Sequence, residues 1–117
     1  MGHGYFVVVS FGIVVDRSTF RRTIKDILDA DKISDRDLEK LATKNGIEFH
    51  YEQQDQPQTY FICSTNKYWD DARCGGYQTF DFQHLQSPPA LERLTQFAQE
   101  HFPQFPISCV MYAYQGS

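Results

Sequence analysis

The stretch Tyr5-Phe-Val-Val-Val-Ser-Phe-Gly-Ile-Val-Val15 decides how this 117-residue chain is read. Its residues are apolar on both alternating faces, interrupted only by Ser10 and Gly12. A strand apolar on both faces belongs in the middle of a sheet, with cover on each side. Asp16 follows and supplies an oxygen for the free N–H groups of a helix start. Phe20, Ile24, Ile27 and Leu28 then recur at helical spacing as one apolar stripe. Residues 29–32 break that helix. Ser34-Asp-Arg-Asp37 resembles a capping box with Asp in place of the preferred Glu, and it opens a shorter helix through Leu38, Leu41 and Ala42. Asn45-Gly46 ends it.

Beyond Gly46 the period changes from helical to two. Residues 47–53 alternate, with Ile47, Phe49 and Tyr51 on one side and Glu48, His50 and Glu52 on the other. That pattern predicts a strand near a sheet edge with one wet face. A turn at 54–57 leads into a strand over 59–65, and the two strands form a hairpin. Residues 66–76 are the least regular stretch, and 77–82 predict a short further strand. Ser87-Pro-Pro starts a helix whose core stripe is Leu91, Leu94, Phe97, Ala98 and Phe102, since proline is tolerated in a first turn. Residues 107–114 form the last strand. Ile107, Cys109, Met111 and Ala113 share one face; Ser108, Val110, Tyr112 and Tyr114 share the other.

This βαββαβ order resembles the ferredoxin-like split βαβ arrangement. The expectation is a single α+β domain over 1–117, a mainly antiparallel sheet with its helices on one face, and an extra segment at 66–84. Right-handed crossovers place the first and third core strands in the centre. The resemblance is to a fold and carries no activity with it.

Composition narrows the functional classes. The net charge is −4 and the pI about 5.4, which disfavours a generic electrostatic grip on nucleic acid. The charge is uneven: residues 1–45 hold eight Lys/Arg against seven Asp/Glu, and residues 46–117 hold three against eight. Cys63, Cys74 and Cys109 are odd in number and lack CxxC spacing, which argues against a disulfide framework or a structural zinc site. Cys63 and Cys109 read as small buried hydrophobes inside strands. The opening apolar run is too short to span a bilayer and has neither a basic n-region nor a small-residue cleavage site. The chain therefore reads as cytoplasmic, in its own cell or in a host, and not as a membrane protein.

The segment around Trp69 is the leading candidate surface. Tyr68 and Trp69 offer aromatic rings, Asp70 and Asp71 carboxylates, and Arg73 a fork of donors; the plainer reading is that Trp69 plugs the core edge. Tyr112 and Tyr114, on the sheet face away from the helices, complete the binding set. With Val8 and Val110 they form an apolar face that needs a cover: the extra segment, a second copy of the chain in a face-to-face homodimer, or another protein. An RNA platform would use the same tyrosines beside Phe6 or Phe11, but the basic surround is missing. Asp70 and Asp71 could join His50 or His84 around a metal, yet the spacing of a calcium loop and the HxxxH signals are absent, and no metal or cofactor is expected. Cys74 beside Arg73 lacks a placed base, and no nucleophile elbow or phosphate loop occurs, so no catalytic residue is assigned.

The function expected is a small non-enzymatic module that binds another protein: a regulator, an adaptor, or a viral or phage accessory protein whose acidic strip competes for a basic groove. The alternative is a small-ligand-binding protein or minor enzyme using a cleft lined by Tyr68, Trp69, Arg73 and His84.

Overall fold

The computed structural model describes residues 4–51, 57–71 and 81–116, with backbone alone at 4–6, 69–71 and 114–116. The elements run β1 (Gly4–Asp16), α1 (Arg17–Leu28), α2 (Asp35–Asn45), β2 (Ile47–Tyr51), β3 (Thr59–Ser64), β4 (Tyr68–Asp71), α3 (Phe82–Leu85), α4 (Pro88–His101) and β5 (Ser108–Gly116). The chain is α+β, and its five described strands form one antiparallel sheet.

The long first strand is the spine of that sheet. β5 runs along one of its edges, from Gly4↔Gly116 to Gly12↔Ser108. Two strands share the other edge: β3 pairs with Gly12–Asp16, and β4 pairs with Phe6–Val9. β2 pairs with the outer side of β3. β4 lies inside the stretch read from sequence as irregular. Its four residues lack the run of alternation that marks a strand. They pair because β3 stops short and leaves half of that edge of β1 open. Two serines bridge the gap between β3 and β4. Buried Ser10 donates its hydroxyl to the Asn66 carbonyl at 2.9 Å, and the Asn66 N–H donates to Ser64 Oγ at 3.0 Å.

One face of the sheet carries the main core. Ile13 and Val15 of β1, Tyr60 and Ile62 of β3 and Ile47 of β2 pack against Phe20 and Ile24 of α1, Leu38 and Leu41 of α2, and Leu94, Phe97 and Phe102 of α4. Cross-strand register stacks these residues in rows, Ile13 beside Ile62 beside Phe49 and Val15 beside Tyr60 beside Tyr51. Phe20 lies flat on Tyr60, with ring centroids 3.8 Å apart and planes 6° from parallel. Each fully buried side chain of this size stabilises the fold by about 1.5–3 kcal/mol through its removal from water.

Local signals set the helix limits. Asp16 Oδ2 accepts from the Thr19 N–H and hydroxyl, both at 3.0 Å; the Thr19 backbone bond foremost holds the Asp16 carboxyl below its ordinary value. The capping box is formed, with Asp37 N–H donating to Ser34 Oγ and Ser34 N–H donating to Asp37 Oδ2. Gly46 closes α2 at φ +65°, where a side chain would be strained.

Two sequence expectations need correction here. Phe82 begins α3, capped by Asp81 through the Gln83 N–H, and does not end a strand; residues 77–80 of that expected strand lie outside the described residues. Cys109 is exposed, not buried. The helix layer is offset toward β2 and β3, so the helix-side face of β5 is left uncovered there. Residues 52–53, expected in the second strand, also lie outside the described residues.

Candidate functional site

Six of the seven residues singled out from sequence fall in adjacent rows across β1. Tyr68 and Met111 flank Val9, Trp69 and Tyr112 flank Val8, Asp70 and Ala113 flank Val7, and Asp71 and Tyr114 flank Phe6. The two outer members of such a row are about 9–10 Å apart along the hydrogen-bonding direction. Trp69, Asp70 and Asp71 therefore belong to a strand and not to an irregular loop. Arg73, the remaining residue of the set, and Cys74 lie outside the described residues.

On the face turned away from α1, α2 and α4, Tyr112 is half-buried and stacks on Phe61, with centroids 6.2 Å apart and planes 20° from parallel. His50 sits 6.3 Å from both rings. Gly12 makes this arrangement possible. A Cβ there would lie 2.5 Å from Phe61 Cε1, so the Phe61 ring occupies the space that a side chain on β1 would fill.

Beside the rings is a polar cluster with no signal in the linear sequence. Lys67 Nζ donates to both oxygens of Glu48, at 2.6 and 2.5 Å, and His50 Nε2 lies 3.2 Å from Glu48 Oε1. Burial pushes the Glu48 carboxyl up, but the hydrogen bonds and charges of His50 and Lys67 outweigh it and hold the group below its ordinary value. Cys63 lies beneath, fully buried, and its thiol is pushed up to about 12 by burial and then by the Glu48 charge. A thiol held that high is not a nucleophile at neutral pH. The cluster is one carboxylate shared by two donors, and it clips β2 to the link between β3 and β4. Among the described residues no three His, Cys, Asp or Glu side chains converge as metal ligands. The His84 carbonyl accepts from Asn66 Nδ2.

Val8, expected on an open apolar face, is completely buried within the single chain, as are Ser10 and Cys63, and Phe61 is nearly so; Val110 is half-buried. The most exposed apolar side chain lies on the other face. Met111 is 71% exposed, and Cys109 and Ala113 beside it on the same face of β5 are exposed too. Phe82, 47% exposed, sits edge-on to Phe11, the β1 partner of Cys109. Among the described strands β5 pairs only with β1.

The other long edge of the sheet is handled differently. β2 carries Glu48 and His50 and is flanked by α2, with a shallow groove of about 380 Å³ between them lined by Leu38, Ala42, Ile47, Phe49 and Tyr51 among others. β5 carries no charge, and Cys109, Met111 and Ala113 on its helix-side face are exposed. Over 108–116 its sequence is Ser-Cys-Val-Met-Tyr-Ala-Tyr-Gln-Gly, with no Asp, Glu, Lys, Arg or Pro. That composition was readable from the start; the missing fact was that the helices stop before reaching this strand. No helix among the described residues is long and apolar enough to cross a membrane. No protein-family model, curated protein or solved structure matches the chain.

Proposed function

We propose that this chain is a non-enzymatic protein-interaction module that engages another polypeptide along β5 by strand addition. The observation that carries the reading is β5 itself, nine residues without a charge that pair with β1 alone among the described strands and present exposed Cys109, Met111 and Ala113. Soluble proteins blunt such edges with charge, proline, a bulge or a covering element, because unpaired N–H and C=O groups in a row recruit another strand. Main-chain hydrogen bonds then supply affinity, and alternate side chains supply selectivity. The underlying core is a ferredoxin-like one with β4 inserted after β3. The pairing β5-β1-β3-β2 supports this, since it is the order expected of four antiparallel strands joined as βαββαβ. A regulator, an adaptor or a viral accessory protein would use such a module, and the unpaired Cys63 and Cys109 suit a reducing compartment.

The test is affinity capture with tagged wild-type chain beside tagged Met111→Lys and Ala113→Lys chains, each checked for folding by circular dichroism. Proteins retained by the wild type and lost from both variants support the reading. Partners held equally by all three would overturn it.

A further inference from the structure

We infer that the groove between α2 and β2 docks a short segment of a partner protein that carries an arginine or lysine beside an apolar residue. The site does not depend on β5. Asp35, Leu38, Glu39 and Ala42 recur at helical spacing on the face of α2 turned toward β2, and Phe49 and Tyr51 alternate along the facing strand. The groove between them measures about 380 Å³. Leu38 is buried, whereas Ala42, Phe49 and Tyr51 are only half-buried, so apolar surface stays accessible along the floor. Asp35 and Glu39 stand on the rim, both exposed and about 6 Å apart along the helix. Among the described residues no lysine or arginine lines the groove, and neither carboxylate is in an ion pair. Asp35 accepts from the Tyr51 hydroxyl at 3.0 Å through one of its two oxygens. The cations of α2, Arg36, Lys40 and Lys44, are grouped on its neighbouring face, and Arg21 lines the adjoining cavity.

Charge and floor together select the occupant. An acidic segment would set like charges against both rim carboxylates. A wholly apolar segment would take them from water without supplying a partner, at a cost in desolvation. A cationic side chain meets both demands: its alkyl stem lies over Ala42 and Phe49, and its head reaches Asp35 and Glu39. The groove is at the small end of ligand pockets and shallow, so it holds a side chain or two and does not enclose a drug-sized molecule. That favours part of a longer chain, whose neighbouring residue supplies an apolar side chain for the rest of the floor. Exposed ion pairs add little and the contact is small, so the expected Kd for an isolated peptide is roughly 50–500 µM.

Fluorescence anisotropy with three labelled, end-blocked hexapeptides tests this, leucine alternating with arginine, with glutamine or with glutamate. The wild type should bind the arginine peptide, bind the glutamine peptide about tenfold more weakly, and leave the glutamate peptide free. Glu39→Gln and Asp35→Asn should each weaken the arginine peptide about threefold and leave the glutamine peptide unchanged. Glu39→Gln keeps the Tyr51–Asp35 bond, so it decides the matter if Asp35→Asn unsettles the start of α2. Asp26→Asn and Glu100→Gln make the same charge change at exposed positions of α1 and α4 and should not alter affinity. Amide shifts on titration should concentrate at 35–43 and 47–51. Equal weakening by Asp26→Asn or Glu100→Gln, shifts centred outside those residues, or no preference for arginine over glutamine would overturn the inference. N-acetyl-arginine amide binding as tightly as the hexapeptide would mark a site for small cations and overturn it too.

Discussion

Replacing Gly12 by alanine tests the closest approach in the sheet. The new methyl group would lie 2.5 Å from Phe61 Cε1, 2.9 Å from Cys63 Cα, and closer still to the Ile62 carbonyl oxygen. The ring can turn, but the carbonyl and Cα belong to the neighbouring strand, so relief requires β1 and β3 to separate. That puts at risk the pairs Gly12↔Cys63 and Ile13↔Ile62. Two weakened backbone hydrogen bonds at about 1 kcal/mol each, with about 1–3 kcal/mol for overpacking, give a loss of about 3–5 kcal/mol. A domain of this size has a total stability of about 6–17 kcal/mol, so the loss is a large share of it. At about 4 °C per kcal/mol, Tm should fall by about 12–20 °C. Urea unfolding followed by circular dichroism measures the change, with Val14→Ala as the control. Val14 is on the same strand and 47% exposed, and its truncation should cost under about 1 kcal/mol. If Gly12→Ala costs no more than Val14→Ala, β1 and β3 do not meet as described.

Ser10→Ala removes the hydroxyl that satisfies the Asn66 carbonyl at the junction of β3 and β4. It should cost about 1–2 kcal/mol in urea unfolding, and an unchanged midpoint would show that the bridge contributes nothing. Glu48 is held below its ordinary value when folded. Its ionised form therefore stabilises the fold above the unfolded carboxyl's pKa, and this contribution is lost as pH falls through the lower folded one. Glu48→Gln should flatten the drop in urea midpoint between about pH 7 and pH 3; an unaltered slope would refute the role given to the Lys67 and His50 contacts. Alkylation followed by peptide mapping should label exposed Cys109 rapidly and buried Cys63 only at the rate of unfolding. Equal rates at the two thiols would contradict the burial of β3.

The parts of the fold that sequence revealed are those encoded by neighbours. The doubly apolar run gave β1 its place with pairing on both edges. Asp16 and the Ser34–Asp37 box marked helix starts through bonds spanning three residues. The parts it concealed depend on distant partners. β4 exists because β3 vacates part of an edge. Cys109 is exposed because the helix layer is offset, although its own strand looks like a core strand. The ion pair of Glu48 with Lys67 joins residues 19 apart and has no local signature. At the candidate site, Tyr112 could be placed on the helix-free face by counting alternate residues, while its stacking on Phe61 depended on the missing side chain at Gly12.

Residue-resolved amide exchange is the direct check that β1 is paired on both edges. Consecutive amides at 6–9 of β1 should all be protected, because β4 and β5 take alternate N–H groups. The amides of 108–116 that face β1 should be protected as well. Rapid exchange within 6–9 would contradict this arrangement.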